Sequence, residues 1–473
     1  MGSKEPETQD LGVELEIQGL ATGGRGVARH QGRVWLVAGG LPGQRVLART
    51  RRTHARWIDA EVERVLTPSP TERAAPCPFH AACGGCAWMR LPEEAQRLWK
   101  RQLVRDALAR VAHLPDVPVE EAVPSPLPLG YRNKVELTFG RSPDGAPMLG
   151  YHPPGDARGV VDIPACLLAD PAMNQVVAAA RAFFLEGPGA GDPVLPVAGD
   201  RREPLRLVVR RARAEGAMLA VFRGPEGPFP SGRTFAESLM RAVPEVAGVV
   251  RLLAQPGRRG GTRAEVLAGR SFLRETLGGL AFEVPAGSFV QVNPGAAEVL
   301  LDQVRAACGP VAGRRVLELY GGMGVFGLAL ARDGGKVTVC EADPEAVGAG
   351  RRAAAVAGLR VSFVQGDVMG SLKSVGDRPW DLVLADPPRT GFAPGVAAAL
   401  GALAPSQVVL VSCDPPTLAR DLAALHGNGY AVERVVPVDL FPQTPHVETV
   451  TTLRRSSDAT DPPRDRSLEG GAR

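Results

Sequence analysis

Residues 314–343 read RRVLELYGGMGVFGLALARDGGKVTVCEAD and decide the fold of the C-terminal part of the chain. A short apolar run ends at Leu319, a glycine-rich turn and an Ala/Leu-rich stretch follow, and a second apolar run ends at Glu341. Strand, glycine turn, helix and strand is the order of a nucleotide-binding βαβ unit. Because VSFVQGD, WDLVLADPP and QVVLVSC continue the alternation, residues 285–455 are predicted to form an α/β domain with a doubly wound, Rossmann-like parallel sheet.

The region before this domain divides into two parts with different patterns. Residues 11–67 contain short β-type runs separated by Gly and Pro, which predicts a small β-barrel. Eight arginines and no acidic residue lie between Ile17 and Ile58, which suits either a nucleic-acid-binding face or the solvated face of an Arg-rich protein. Residues 68–284 predict an α+β region with an amphipathic helix over 93–113, which we expect to pack on the C-terminal α/β domain, and antiparallel strands in YRNKVELTF, LRLVVRR and AMLAVF.

Composition limits the class of protein. The chain has 473 residues, of which 44% are hydrophobic and 22% charged, as in globular domains. Neither a membrane-length apolar run nor a signal peptide is evident, which predicts a cytoplasmic protein, and residues 1–10 and 456–473 are polar enough to be disordered. Seven cysteines without a secretory signal argue against a disulfide framework.

Acidic residues at the strand ends indicate the cofactor. Gly322, Gly324 and Gly327 satisfy G-x-G-x-x-G, which a dinucleotide-binding oxidoreductase would also show. Acids at Glu318, Glu341 and Asp367, followed by the Asp386-Pro-Pro motif, suit S-adenosylmethionine better. Glu341 is placed to accept the ribose hydroxyls and Asp367 to accept the adenine amino group.

The fifth strand ends at Cys413, which is either a core cysteine or a nucleophile. A thiolate beside a methyl donor makes sense for methylating carbon 5 of a pyrimidine, because addition at carbon 6 turns carbon 5 into a nucleophile. A base must then remove the carbon 5 proton, and Glu448, which enters the last strand after two prolines, is the candidate. Asp-Pro-Pro motifs also occur in enzymes that methylate amino nitrogens, so an amino-methyltransferase remains an alternative.

Five segments together resemble the RNA uracil-5-methyltransferase family: SFVQVNP at 288–294, ELYGGMGVFGL at 318–328, ADPPRTG at 385–391, VSCDPPTLARDL at 411–422 and FPQTPHVET at 441–449. The resemblance implies that Cys413 is the nucleophile and Glu448 the base. It also implies that Asp386 faces the uracil and that the N-terminal barrel is a TRAM domain, an OB-like RNA-binding module. The residues it implies for binding the methyl donor are Gln291, Tyr320, Glu341, Asp367 and Asp386.

Three positions depart from the family pattern. Gly321 stands where a cysteine is usual, Val325 where asparagine is frequent, and Asp414 where asparagine is common. A carboxylate at Asp414 is expected to raise the pKa of Cys413 unless it caps the following helix.

A cysteine cluster lies in the Pro- and Gly-rich segment after the barrel. Cys77, Cys83 and Cys86 are spaced by five and two residues, which suits a soft metal or an iron-sulfur centre, with zinc and His80 as the chemical rival. The resemblance implies a 4Fe-4S cluster with Cys166 as the distant fourth ligand.

The resulting prediction is an S-adenosylmethionine-dependent enzyme that methylates carbon 5 of a uridine in RNA, with 23S rRNA favoured over tRNA. It is expected to act as a monomer, with RNA as its partner and neither DNA nor membrane. Residues 131–134 (YRNK) line the RNA groove or simply begin a strand. The rivals from other classes are a non-catalytic, metal-bearing RNA-binding protein and a nucleotide-dependent oxidoreductase.

Overall fold

The computed structural model describes residues 12–196, 203–224, 226–254, 262–376 and 378–456. The termini predicted to be disordered lie outside these residues, apart from Ser456. Among the helices described, none is both long enough and apolar enough to cross a bilayer.

The N-terminal sheet has six strands in the order β1-β5-β6-β4-β3-β2, and only the β4–β6 pair is parallel. Alternate side chains, such as Trp35, Val37 and Val46, point into one apolar core. The strands are β1 (Val13–Glu16), β2 (Gly19–Leu20), β3 (Gly26–His30), β4 (Arg33–Ala38), β5 (Arg45–Thr53) and β6 (Trp57–Thr67).

Acidic residues from outside the basic stretch neutralise part of it. Arg25 pairs with Asp59, while Glu61 contacts both Arg49 and Arg51. The sequence pattern therefore overstated the positive charge that this sheet presents to solvent.

Helix α1 (Glu93–Ala107) continues into a π-helical turn over Leu108–Ala112, so the amphipathic helix predicted at 93–113 is present. Val104 and Leu108 on its apolar face join the same hydrophobic core as strands of the C-terminal sheet. The helix thus lies against the C-terminal domain.

The central sheet has seven strands in the order β13-β12-β11-β10-β7-β8-β9, antiparallel except between β11 and β12. Helices α2 and α3 cover one face, with Phe184 and Phe235 in the core between them and the sheet. The elements are β7 (Lys134–Arg141), β8 (Pro147–Tyr151), β9 (Val161–Asp162), α2 (Pro171–Phe184), β10 (Arg206–Arg211), β11 (Met218–Arg223), α3 (Gly232–Ala242), β12 (Val246–Ala254) and β13 (Thr262–Gly269).

A hairpin and the C-terminal sheet complete the fold. The sheet order is β18-β17-β16-β19-β20-β22-β21. The elements are β14 (Phe272–Leu277), β15 (Leu280–Pro285), α4 (Pro294–Cys308), β16 (Arg315–Leu319), α5 (Val325–Arg332), β17 (Lys336–Glu341), α6 (Pro344–Val356), β18 (Ser362–Gln365), α7 (Val368–Val375), β19 (Leu382–Ala385), α8 (Val396–Leu403), β20 (Gln407–Ser412), α9 (Pro415–Gly427), β21 (Tyr430–Val438) and β22 (Glu448–Arg455). The β14–β15 hairpin packs on α6.

The prediction of a parallel sheet is correct for β16 to β20 but wrong for β22. Strand β22 runs antiparallel to both β20 and β21, because a loop at 439–447, without a crossover helix, returns the chain from β21. The reversal brings the start of β22 to the carboxyl end of β20. Cys308 and Cys340 are buried, as expected of core cysteines.

Candidate active site

Strand pairing brings Cys413 and Glu448 together. Ser412, the last residue of β20, pairs with Thr449, whose Oγ1 donates a hydrogen bond to the Ser412 carbonyl over 3.0 Å. One step further along the antiparallel register, Cys413 lies opposite Glu448. Two residues predicted to act together are therefore neighbours although 34 residues separate them in the sequence.

Glu448 is buried, with 4% of its surface exposed, so it is not an ordinary strand-end carboxylate in solvent. Burial and the nearby Asp386 carboxyl raise its pKa well above the usual range, while Arg389 opposes them. Burial alone raises the pKa of Asp386 to about 7. Both carboxyls therefore hold a proton more readily than an ordinary carboxyl in solvent does, as is frequent for groups at functional sites.

The Cys413 thiol is half-buried at the tip of β20. Burial, the Glu448 carboxyl and Asp386 raise its pKa to about 11, while Arg389 lowers it through its charge and a hydrogen bond. Asp414 accepts hydrogen bonds from the Thr417 backbone N–H and hydroxyl, over 3.1 and 2.7 Å, and so caps α9. Asp414 was expected either to raise the pKa of Cys413 or to cap the following helix. The structure shows the helix cap.

Arg389 joins the thiol to His446. Its Nη2 lies 3.4 Å from Nδ1 of His446, and because a guanidinium can only donate, Nδ1 is the acceptor. Burial, Arg389 and two more distant cations lower the pKa of His446 to about 4. The imidazole is therefore neutral at physiological pH and orients Arg389 without adding charge.

Replacing Arg389 by glutamine is expected to raise the pKa of Cys413, because Arg389 is the cation that favours its thiolate. The pH profile of thiol alkylation should then move to higher pH, and the rate at pH 8 should fall by roughly threefold to tenfold. Peptide-resolved mass spectrometry after iodoacetamide pulses measures Cys413 separately from the other cysteines. Arg360→Gln, an exposed site, is the matched control, and equal rates in both variants would contradict the assignment.

The loop that leads to Glu448 is anchored from α1 and from the segment that precedes β7. The ammonium of Lys100, fully buried, binds the Asp439 carboxylate and donates to the Phe441 carbonyl over 2.9 Å. The Tyr131 hydroxyl donates to the Pro442 carbonyl over 3.0 Å. The buried Gln443, held in a left-handed conformation with φ of 71°, exchanges two hydrogen bonds with the Gln96 side chain.

A cavity of about 120 Å³ lies at the carboxyl end of β16. Three residues predicted to bind the methyl donor line it, namely Gln291, Tyr320 and Asp386. The backbone of Tyr320 is left-handed, with φ of 58°, which turns the chain into the glycine segment. The cavity is therefore next to Cys413 and Glu448, since Asp386 lines the cavity and acts on the pKa of both side chains.

Glu318 organises the floor of the cavity. It is buried, its Oε2 accepts a hydrogen bond from the Gly327 N–H over 3.0 Å, and burial raises its pKa to about 8. Its other oxygen, Oε1, is buried without a partner among the described residues. Because buried polar atoms usually have a hydrogen-bond partner, we expect a polar ligand in the cavity to bind Glu318 Oε1.

Glu341 and Asp367, which were predicted to bind the methyl donor, do not line the cavity. Glu341 Oε2 accepts a hydrogen bond from the Gly322 N–H over 2.8 Å, which places this carboxylate directly behind the glycine turn. Asp367 is exposed and caps α7, with Oδ1 accepting from the Gly370 N–H over 2.9 Å. The structure therefore brings Glu341 to the turn, while Asp367 stays at the end of the third strand.

The departures from the family pattern have packing reasons. A Cβ at Gly321 would lie 2.5 Å from Val339 Cγ1, so the usual cysteine would collide with this chain's own core. Val325 begins α5 and presents an apolar side chain to the cavity.

Replacing Gly327 by alanine is expected to destabilise the fold and weaken methyl-donor binding. A Cβ there would lie 2.2 Å from Glu318 Oε2, which forces the turn or the buried carboxyl to move. Overpacking of this kind costs about 1 to 3 kcal/mol. Thermal unfolding and calorimetric titration with S-adenosylmethionine measure both effects. Gly348→Ala, inside α6 with room for a methyl group, should instead leave both unchanged or stabilise slightly, and similar losses in the two variants would sink this explanation.

Of the four cysteines predicted to bind a metal, Cys77, Cys86 and Cys166 pack against the same small apolar cluster, although Cys166 is remote in sequence. Burial and the thiols of Cys166, Cys83 and Cys77 together raise the pKa of Cys86 to about 12, while Arg132 opposes them. All four are unpaired thiols. No group of three or more His, Cys, Asp or Glu side chains within the described ranges is arranged closely enough to hold a metal ion as it stands. The His80 ring makes a hydrogen bond to the Cys86 backbone, and the Cys166 thiol is near enough to raise the pKa of Cys83.

Two residues that belong to this site were not predicted from the sequence. Phe289 is 78% exposed yet lines the cavity, so it offers an aromatic face at the entrance. Arg389 contacts the nucleophile candidate from the loop after β19. The sequence signals that could have identified them are the aromatic residue in SFVQ, which is Phe289, and the cation directly after Asp-Pro-Pro, which is Arg389.

The sheet order, the glycine turn after its first strand and the cavity at that turn define an S-adenosylmethionine-dependent methyltransferase. Two family models match the C-terminal part: "Methyltransferase small domain" over residues 286–404 and "tRNA (Uracil-5-)-methyltransferase" over residues 373–456.

Relatives extend the similarity over nearly the whole chain. An uncharacterized RNA methyltransferase of Nitratidesulfovibrio vulgaris is 36% identical over 455 residues, covering 93% of this chain and 95% of that protein. One from Gloeobacter violaceus is 34% identical, covering 94% and 96%. The chain belongs to the RNA uracil-5-methyltransferase family and is an RNA methyltransferase.

A solved structure shares the fold. Pyrococcus abyssi tRNA (uracil-54, C5)-methyltransferase, in complex with S-adenosyl-L-homocysteine, superposes with a TM-score of 0.71 at 24% identity, covering 93% of this chain and 100% of that chain. The superposition supports the chain path described above.

Proposed function

We propose that the protein transfers a methyl group from S-adenosylmethionine to carbon 5 of a uridine in RNA, through a covalent bond between Cys413 and the uracil. The observation that carries the proposal is the convergence of Cys413, Glu448, Asp386 and Arg389 beside the cavity at the end of β16. An amino-methyltransferase would need neither the thiol nor the buried base.

The proposed steps balance as follows. The Cys413 thiolate, formed with the help of Arg389, adds to carbon 6 of the uracil, and the electron pair moves to carbon 5 as an enolate. Carbon 5 then attacks the methyl group that S-adenosylmethionine would supply when bound, and the S–CH3 bond breaks so that S-adenosylhomocysteine is the leaving group. Glu448 then removes the carbon 5 proton, and the C–S bond breaks so that the thiolate leaves and the double bond returns.

The proposed roles of the cavity residues follow their positions. Gln291 and Tyr320 contact the methyl donor in the cavity, and Asp386 lies where it can face both the donor and the uracil. Glu341, already bound to the glycine turn, is placed to accept the ribose hydroxyls. Asp367 keeps its proposed role as acceptor for the adenine amino group, although its side chain caps α7 and does not line the cavity.

The two N-terminal parts are proposed to serve RNA binding. The six-stranded sheet acts as a TRAM-type module through arginines that form no ion pair with a described acidic residue, such as Arg29 and Arg56. Phe289 offers a surface on which a base turned out of the RNA stack can lie. We propose the cytoplasm as the compartment, because free cysteines such as those of this chain stay reduced in the cytoplasm.

We propose a 4Fe-4S cluster on four cysteines from the chemistry of the donor set alone, since four thiolates are its usual ligands. Cys77, Cys83, Cys86 and Cys166 would hold it, and when bound it would brace the loop before α1, giving it a structural role. Iron and acid-labile sulfide assays on anaerobically purified protein test this assignment. Four irons per chain support it, whereas one zinc per chain would replace the cluster by a zinc site.

A uridine of 23S rRNA is the target that the cysteine cluster favours, and tRNA is the second candidate, favoured by the description of the matching family model. The experiment is incubation of the purified enzyme with labelled methyl donor and total RNA from a strain lacking the gene. Mass spectrometry of the digested RNA should find 5-methyluridine at one position of one RNA. A label on an amino nitrogen, or no label on any RNA, would overturn the proposal.

A further inference from the structure

A second pocket, of about 180 Å³, borders the segment that also lines the methyl-donor cavity. Gln291 lines the first cavity, while Asn293 to Gly295 line the second, and two residues of chain span about 7 Å at most. Asn293 ties this border to the catalytic loop, since its Nδ2 donates to the Leu440 carbonyl over 2.9 Å. The pocket therefore lies next to the active site but is separate from it.

Three arginines from different parts of the central region line this pocket: Arg132, Arg211 and Arg213. The Nε atoms of Arg132 and Arg211 are buried and find no hydrogen-bond partner in the part of the chain that is described. Arg213 is exposed, and its guanidinium forms no ion pair with a described residue. Three guanidiniums with unused donors at one concavity are matched to an anion with several acceptor oxygens.

Asp170 is the single carboxylate in the lining, and it orients Arg211 more than it neutralises the pocket. One of its oxygens binds Nη1 of Arg211 and also accepts the Ala172 N–H over 3.0 Å to cap α2. Arg132 and Arg213 are left without a described carboxylate partner, so the pocket carries net positive charge. A Cβ at Gly295 would lie 3.4 Å from Nη1 of Arg213, so the absence of a side chain at Gly295 leaves this side of the guanidinium uncovered.

We infer that this pocket binds a phosphodiester of the RNA chain close to the target uridine. The inference rests on the proposed function for the identity of the anion, since the neighbouring cavity would hold the methyl donor and the turned-out base. A fixed phosphate beside the site would hold the backbone while the base leaves its stack. Bidentate contacts from Arg211 and Arg213 suit phosphate geometry better than ammonium groups would.

The experiment measures binding of a fluorescein-labelled 20-nucleotide oligouridylate to the full-length protein by anisotropy at several salt concentrations. Arg213→Gln and Arg211→Gln are each expected to weaken binding about tenfold. Each should also reduce the slope of log affinity against log salt by about 0.7, the value for one lost phosphate contact to a single strand. Arg211→Lys should restore part of the slope but not the full affinity.

Arg233→Gln is the matched control, because Arg233 is an exposed arginine of α3 that does not line the pocket. Thermal unfolding of each variant separates loss of binding from loss of fold, and Arg213, being exposed, is not expected to affect stability. Affinities and slopes equal to those of Arg233→Gln would overturn the inference. Ionic-strength-matched inorganic phosphate should compete for the pocket and narrow the difference in RNA affinity between wild type and Arg213→Gln, whereas a difference that phosphate leaves unchanged would contradict a phosphate-binding pocket.

The two proposals fail separately. A wild-type enzyme that methylates RNA but whose arginine variants bind normally would sink only the pocket. A wild-type enzyme that methylates no RNA, with variants that lose oligouridylate binding, would sink only the proposed reaction.

Discussion

Replacing Cys413 by alanine is expected to abolish methyl transfer to RNA while leaving S-adenosylmethionine binding unchanged. Without the thiolate, carbon 5 of uracil stays too electron-poor to attack the methyl group. Removal of a covalent nucleophile reduces turnover by roughly 10⁴-fold or more. Cys413 does not line the donor cavity, so the dissociation constant of the methyl donor should stay within about twofold of wild type by calorimetry.

Cys308→Ala is the matched control for this loss. Cys308 is a buried cysteine of the same domain, so its replacement costs stability but touches no reacting group. We expect near wild-type turnover for Cys308→Ala at a temperature where it is folded. If Cys413→Ala retained a tenth or more of wild-type activity, the covalent route would be excluded and the amino-methyltransferase alternative would gain support.

Replacing Glu448 by glutamine is expected to stop the reaction after methyl transfer instead of before it. Glutamine has the same shape but cannot take the carbon 5 proton, so the methylated uracil stays bound to Cys413. Turnover should fall by about 10² to 10⁴-fold. A protein–RNA adduct carrying the labelled methyl group should appear on a denaturing gel in proportion to enzyme.

Glu433→Gln, an exposed carboxylate on β21 paired with Arg454, controls for removal of a charge from the same sheet. It should turn over normally and accumulate no adduct. An inactive Glu448→Gln protein that forms no adduct would assign Glu448 to an earlier step. An active one would remove it from the mechanism altogether.

Much of the fold could be predicted because local patterns decide it. The glycine turn between β16 and α5 and the alternation up to β20 follow from short-range periodicity and turn chemistry. The helix over 93–113 and the strands of the N-terminal sheet were visible for the same reason. Cys413 was recognisable because it ends a strand at the edge where parallel sheets bind ligands.

The remaining features depend on contacts between distant parts of the chain. The reversed direction of β22 results from the loop at 439–447, which Lys100 and Tyr131 hold from over 300 residues away. The burial of Glu448 and its nearness to Asp386 follow from that reversal, so periodicity could not show them. Likewise, the ion pairs of Arg25 and Arg49 use acids from a neighbouring strand, which a charge count along the sequence misses.

The most direct measurement uses RNA in which the target uridine is replaced by 5-fluorouridine, incubated with wild-type enzyme and S-adenosylmethionine. Fluorine at carbon 5 cannot leave as a proton, so Glu448 has nothing to remove and the adduct should persist. The predicted result is one covalent protein–RNA species, with the modified nucleotide mapped to Cys413 by mass spectrometry and absent in Cys413→Ala. Unmodified Cys413 after incubation of an RNA that the enzyme otherwise methylates would contradict the account.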